Sequence, residues 1–260
     1  MFNFFKKKKQ SIKSLELQQI KEEYNDIKPI AKYFHTETGI TFDKQITILK
    51  SKVISFCKQR KIYSFEKLLK DIKLNKQLKQ ELIDYLTTNE TYFYREFTQI
   101  QEFVKLVKKQ NKSIEVLCAP SATGEEPYSI AIALLEAGIS SKNIKIVGID
   151  INQEALKKAK TALYAERNIR NLSSDILHKY FTKEDDRYAL KENIKLLVTF
   201  KLVNIFDDSF NNLGKFDFIF SRNMLIYFDK KTKQKAKIIL EGMRKDEKND
   251  VFFGHADLFY

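Results

Sequence analysis

The segment Ala122-Thr123-Gly124-Glu125-Glu126-Pro127 has the make-up of a loop that closes around a ligand. It lies between an apolar run, IEVLCA, and a helical pattern, PYSIAIALLEAG. A glycine in such a turn lets the backbone approach a ligand closely, and the helix start offers free amide donors. A dinucleotide site would place pyrophosphate there and want glycines without acids. Two adjacent carboxylates would repel a diphosphate. They suit a ligand with a cationic amine and a sulfonium, and S-adenosylmethionine is such a ligand. Asp150 ends the next apolar run, IKIVGID, 26 residues after Gly124. A carboxylate at that strand end accepts hydrogen bonds from both ribose hydroxyls. Asn204, at the end of LLVTFKLVN, is placed to reach an adenine edge. For both residues the competing reading is a turn or cap role.

Other chemistries find little support. His35, His178 and His255 are scattered, and Cys57 and Cys118 stand in no metal-ligand spacing. The two thiols read as small buried hydrophobes in a reducing cytoplasm.

The elements that position these residues are those of an α/β chain. From Ser113 onward, the strand-like runs IEVLCA, IKIVGID, LLVTFKLVN, FDFIFSRN and VFFGH alternate with helical patterns. That order implies a parallel sheet covered on both faces. Pro127 is expected at the first position of its helix and Gly138 at its end. Residues 11–110 read as helices. In QITILKSKVISFCKQR, Ile46, Leu49, Val53, Phe56 and Cys57 recur at spacings of three and four and mark one buried face. Lys50, Lys52, Lys58 and Arg60 lie off that stripe. SFEKLLKDI, KQLKQELIDYL and REFTQIQEFVKLVKK suggest further helices, with Ser64 as an N-cap of the first. The expected division is a helical domain over 1–86, a connecting segment with a linker helix over 87–110, and an α/β domain over 111–260.

The net charge of +13 is uneven. Residues 1–86 hold 19 Lys and Arg against 10 Asp and Glu, and the rest hold 28 against 24. The first third should attract an acidic partner, either nucleic acid or an acidic protein surface. No apolar run reaches the roughly 18 residues of a membrane span. The start, MFNFFKKKKQ, places apolar residues before lysines, the reverse of a secretory signal, and reads as a frayed tail.

Three segments, LTTNETYFYRE at 86–96, CAPSATGEEPYSIAIAL at 118–134 and FDFIFSRNMLIYFD at 216–229, make the chain resemble the CheR-type chemoreceptor methyltransferases from about residue 25 onward. The resemblance implies a small all-helical N-terminal domain, then a Rossmann-like S-adenosylmethionine-dependent methyltransferase domain with a small inserted β-subdomain. It implies methyl esters placed on glutamates of the cytoplasmic helical domain of a chemoreceptor, with S-adenosylhomocysteine as product. It assigns to the cofactor site Asn89, Thr91, Arg95, a glutamate of the turn (Glu126 preferred over Glu125), Asp150, Asn204, Ile205, Arg222 and Asn223. Arg95 and Tyr227 are then nearest the methyl group and are the catalytic candidates.

An ionised glutamate, of pKa about 4.3, is already a nucleophile and needs no general base. Arg95 is expected to orient it and Tyr227 to hydrogen-bond it. Lys50, Lys52, Lys58 and Arg60 are expected to dock the acidic receptor. Neither nucleic acid nor membrane insertion is expected, and the protein is read as a cytoplasmic monomer.

The chain also departs from the family pattern. Its Pro-Gly-Gly turn is replaced by Arg244–Asp250, and its Gly-His-Ser-Glu reads Gly254-His255-Ala256-Asp257. Relatives continue beyond the position of Tyr260 through a further strand pair, so the far edge of the sheet is expected to differ. Some relatives are tethered to a receptor peptide through a glycine-rich turn of the β-subdomain. The corresponding FTKEDDRYALKENIKLLVTF has no glycine, and Asn193 is the only asparagine nearby, so no tether is expected. Two rival readings are a nucleic-acid methyltransferase and a non-catalytic binding module. The first lacks its Asn/Asp-Pro-Pro-aromatic motif, because Ser221-Arg222-Asn223 stands there.

Overall fold

The computed structural model describes residues 23–87, 89–110, 112–249 and 251–258. The lysine-rich start lies outside them. The chain forms two compact units, one of residues up to Glu37 plus Phe42–Leu86, the other of Thr38–Thr41 plus Thr87 onward.

The first unit is built from α1 (Lys28–Thr38, whose last residue belongs to the other unit), α2 (Ile46–Gln59), α3 (Phe65–Leu74) and α4 (Lys76–Leu86). The α2 stripe is buried at Leu49, Val53, Phe56 and Cys57, as its spacing predicts. Ser64 caps α3, its hydroxyl accepting from the Lys67 amide at 3.1 Å.

The second unit begins with α5 (Phe97–Gln110), which leads into β1 (Ile114–Cys118), α6 (Glu125–Glu136), β2 (Ile144–Asp150) and α7 (Gln153–Thr161). The helix expected as a connector is part of this unit's core. Phe103 of α5 meets Phe218 and Phe220 edge-on at 5.0 and 5.2 Å, and burying one such ring is worth about 1.5–3 kcal/mol. After α7 come the short β3 (Leu163–Ala165), α8 (Glu166–Ile169), α9 (Ser174–Tyr180), β4 (Phe181–Glu184), β5 (Arg187–Leu190) and α10 (Glu192–Lys195). The chain then returns as β6 (Val198–Leu202), β7 (Phe218–Ser221), α11 (Lys230–Glu241), β8 (Val251–Phe253) and α12 (His255–Leu258).

The main sheet has the order β6-β2-β1-β7-β8, with every neighbouring pair parallel. Strand side chains alternate between its faces. Val116, Ile146, Phe218 and Phe220 join one core cluster, and Leu117, Val147, Ile149 and Ile219 join another. The inserted β-subdomain is the antiparallel sheet β3-β5-β4. Its β4–β5 hairpin turns at Asp185-Asp186 without glycine, because Asp185 itself adopts φ +51°. Asn193 lies in α10 and has no part in that turn.

Pro127 stands at the third position of α6 rather than the first. It is tolerated there because the first four amides of a helix have no intrahelical partner. In the Arg244–Asp250 stretch, Arg244 gathers the turn by donating to the carbonyls of Glu247 and Asn249, each at 3.0 Å. Cys57 and Cys118 are free and buried. Burial pushes the Cys57 thiol up to about 12 and Cys118 well above its usual value, so both behave as apolar fillers. No helix among the described residues is long and apolar enough to cross a membrane.

Candidate active site

The carboxyl ends of β1, β2, β6 and β7 carry most of the residues singled out by sequence, as expected for an open parallel sheet. Beyond β1 the chain runs through Ala122 at φ +45° and Gly124 at φ +94° before α6 starts. The glycine serves the protein itself. A Cβ there would meet Ala159 Cβ and Tyr128 Cε2 at 3.0 Å and the Tyr164 hydroxyl at 3.1 Å. Its place in the loop is thus required by backbone conformation and internal packing.

The two glutamates that follow part ways. Glu125 is fully buried and turned inward, its oxygens accepting from Thr123 Oγ1 at 2.6 Å and Asn168 Nδ2 at 2.8 Å. Burial raises its pKa, and these hydrogen bonds only partly oppose the shift. Glu126 reaches the end of β7 and forms an ion pair with Arg222 through Oε2. Its Oε1 is buried and has no partner. Burial raises the Glu126 carboxyl, with the Arg222 charge working against it. Burial acts to lower the Arg222 guanidinium, and Glu126 outweighs it, so that group is raised.

Arg222 also ties down the segment before α5. Its Nη1 donates to the carbonyls of Arg95 at 2.9 Å and Glu96 at 3.3 Å. Tyr94 and Glu96, on either side of Arg95, both adopt positive φ, at +57° and +49°. The Arg95 side chain donates to the Glu90 carbonyl at 3.0 Å and lies 5.7 Å from the Tyr92 ring centre. Its charge also acts on Tyr227, which sits on a short 3-10 turn (Leu225–Tyr227) and is 37% exposed. Burial raises the Tyr227 phenol despite Arg95, so it stays a neutral donor at neutral pH.

Asp150 is buried with both oxygens engaged, Oδ2 by the Ala122 amide and Oδ1 by the Asn152 amide, each at 2.8 Å. Asn204 forms a local turn by accepting from the Phe206 amide at 3.0 Å, and Ile205 is buried beside it. Asn223 adopts φ +60°. Asn89 and Thr91 lie in the partly buried approach to α5, and the Thr91 carbonyl faces Asn168 Nδ2 at 3.4 Å. Lys50, Lys52, Lys58 and Arg60 belong to the other unit. There Arg60 is held by Glu81 at 2.9 Å and stacks 3.8 Å over Phe56, and Lys50 donates to the Asn25 carbonyl at 3.2 Å.

Three further residues support this site. Buried Asp257 accepts from the amides of Asn223, Gly254 and Ile226 and so fixes the turn that carries Arg222, Asn223 and Tyr227. Its signal in the sequence is the Gly-His-Ala-Asp stretch. Asn168 joins Glu125 to the Thr91–Phe93 strand of chain, its carbonyl accepting from the Phe93 amide at 2.8 Å. Tyr164 donates to the Thr123 carbonyl at 2.9 Å. Neither of these two has a spacing or motif that marks it in advance.

The donor set fits S-adenosylmethionine. An ammonium group would satisfy the orphaned Glu126 Oε1, whose isolation otherwise costs about 1–3 kcal/mol. The Ser121 and Ser221 hydroxyls, at the ends of β1 and β7, are also buried without partners. Unsatisfied polar atoms gathered at the carboxyl edge of a sheet call for a polar ligand.

A family model described as CheR methyltransferase, SAM binding domain, matches residues 89–259. A chemotaxis protein methyltransferase of Campylobacter jejuni is 36% identical over 236 residues, which cover 90% of this chain and 88% of the relative. The chemotaxis protein methyltransferase of Borreliella burgdorferi is 31% identical over 250 residues, covering 90% and 88%. Among solved structures, a magnesium protoporphyrin IX methyltransferase of Synechocystis aligns with 57% of this chain and 54% of that one. Its identity is 15% and its TM-score 0.31. On the family match and the long alignments with chemotaxis methyltransferases, this chain belongs to the CheR family and is an S-adenosylmethionine-dependent methyltransferase.

Proposed function

We propose that the protein methylates glutamate side chains of membrane chemoreceptors from the cytoplasmic side, giving methyl esters. The observation that carries this reading is the Glu126–Arg222 pair with its orphaned carboxylate oxygen, beside Arg95 and the partly exposed Tyr227. S-adenosylmethionine supplies the activated methyl group. Glu126 and Asp150 hold its charged and ribose ends, with Asn204, Ile205, Asn89, Thr91 and Asn223 completing the lining. Arg222 is spoken for by Glu126 and by two backbone carbonyls, so its role is to fix the site.

Among the described residues the Arg95 side chain is held by the Glu90 carbonyl and not by a carboxylate, and it turns an incoming carboxylate toward the methyl group. Tyr227, a neutral phenol, donates to one carboxylate oxygen and leaves the other as nucleophile. A firm bidentate grip would hold the carboxylate back, so the Arg95 contact is partial. Alignment and exclusion of water supply the rate, and no proton need be removed. In the first unit Lys52 and Lys58, off the buried α2 stripe, attract the acidic receptor. The two-residue Asp185-Asp186 turn supports a mode of action without a tethering peptide.

The test is incubation with radiolabelled cofactor and receptor-containing membranes. Base-labile methyl release from the receptor band is the expected result. Base-stable label, or label on RNA supplied in its place, would overturn the reading.

A further inference from the structure

Helix α11 carries Lys230, Lys231, Lys233, Lys235 and Lys237 and has no acidic side chain before Glu241. This composition works against the helix. Cations in the first turn face the positive end of the macrodipole. Lys231 and Lys235 stand at i,i+4 spacing, where like charges repel. Lys230, Lys231 and Lys235 are exposed, and none of them forms an ion pair among the described residues. The N-cap carboxylate of Asp229 accepts from the Thr232 amide at 2.8 Å, and the first turn itself contains no acidic residue. A local choice that opposes the stability of its own element points to a demand from outside it.

The helix starts three positions after Tyr227, and Ile226 and Tyr227 are 41% and 37% exposed. Lys231, Lys235 and Ile238 follow one another along one face, and Ile238 is 63% exposed. We infer that this face is a docking surface for an acidic α-helical protein segment. The segment lies along Lys231, Lys235 and Ile238 and delivers its target glutamate at Tyr227. The lysines complement its carboxylates, and the exposed isoleucines take its apolar positions. The inference rests on the glutamate-methylation reading above.

The test is steady-state methylation of a soluble, glutamate-rich cytoplasmic receptor fragment by K230E/K231E. The variant has better first-turn charges, so its thermal midpoint should not fall. Its affinity for S-adenosylhomocysteine should match wild type. Its KM for the fragment should rise about tenfold at low ionic strength and approach wild type as salt increases, with kcat intact. K105E/K109E makes the same charge change on exposed positions of α5 and should keep a near-wild-type KM. A wild-type KM for K230E/K231E at low salt overturns the proposal, and so does an equal rise in the α5 control. Binding of duplex RNA that K230E/K231E abolishes, with receptor KM unchanged, assigns the face to nucleic acid and overturns it as well. A wild-type enzyme that leaves the fragment unmethylated sinks both this inference and the reading beneath it. A working wild type with an unaffected variant sinks this one alone.

Discussion

The two units solve the burial of polar groups in opposite ways. In the helical unit, charged side chains meet at the surface. Arg60–Glu81, Lys79–Glu37 and Lys67–Asp71 all keep a quarter or more of each side chain exposed. In the second unit Glu125, Asp150, Asn152, Ser221, Arg222 and Asp257 are buried, and nearly all crowd the carboxyl edge of the sheet or its supports. Left-handed backbone occurs there too, at Tyr94, Glu96, Ala122 and Asn223, besides Lys61, Ala162 and Asp185. Buried charge is costly unless paired, and positive φ is costly for most residues. A region that carries both has been shaped by a ligand as well as by folding; the helical unit, whose described residues show one left-handed non-glycine, Lys61 at φ +55°, and no buried charge, is accounted for by packing.

The sharpest way to break this contrast is to remove one cation from each unit. Arg222→Met leaves the Glu126 carboxylate buried and unpaired, and about 3–5 kcal/mol of stability should be lost in urea unfolding. Adding Glu126→Gln should restore much of it. Arg60→Met breaks a half-exposed pair and should cost only about 0–1 kcal/mol from the charge, plus its packing on Phe56. Similar losses in the two variants would mean that the Glu126–Arg222 pair is not the buried, costly feature described.

A second test concerns ligand binding. Asp150→Ala removes acceptors for two hydroxyls, each worth at most about 1.5–3 kcal/mol, and it releases the Ala122 and Asn152 amides. Calorimetry with S-adenosylhomocysteine should show affinity lowered by at least tenfold. An unchanged affinity would remove Asp150 from the site.

These features were unequally legible in the sequence. Period-3.6 and period-2 patterns marked α2, α3, β1, β2 and β7, because each buries one face or both and its apolar spacing says so. The ATGEE loop was visible as chemistry that a dinucleotide site would reject, and Asp150 as an acceptor for ribose hydroxyls. Which glutamate turns inward and which pairs across to β7 was not visible, since that depends on Asn168 and Arg222, 43 and 96 residues away along the chain. That the glycine-free β-hairpin turns at Asp185 and not at Asn193 was not visible, because Asp185 tolerates the left-handed region. That α5 packs into the core of the second unit was not visible, because an amphipathic pattern does not reveal which core receives it.

Arg95 sharpens the comparison within the second unit, because it is only partly buried and makes a backbone hydrogen bond, not a carboxylate pair. Its side chain is the least committed cation at the site. Arg95→Ala should lower kcat more than it lowers cofactor affinity. A loss confined to affinity, with maximal rate intact, would make it a binding residue.

The smallest effect is expected in the helical unit, where charge lies on the surface and is not tied to the cofactor. Reversing Lys52 and Lys58 to Glu changes the unit's charge by four without touching its core, because these positions lie off the buried Leu49–Val53–Phe56–Cys57 stripe. Rim charges act mainly on encounter rate, and their reach is a Debye length of about 8 Å at physiological salt. The apparent KM for receptor should therefore rise at low salt, and its salt dependence should flatten. Stability should stay within about 0.5 kcal/mol of wild type, as for most surface changes. Cofactor affinity should not move, since the carboxylates at the sheet edge are all held within the second unit. Wild-type kinetics at every ionic strength would reduce the helical face to a solvated surface. The contrast between the units would then stand with no role in receptor capture left to the first.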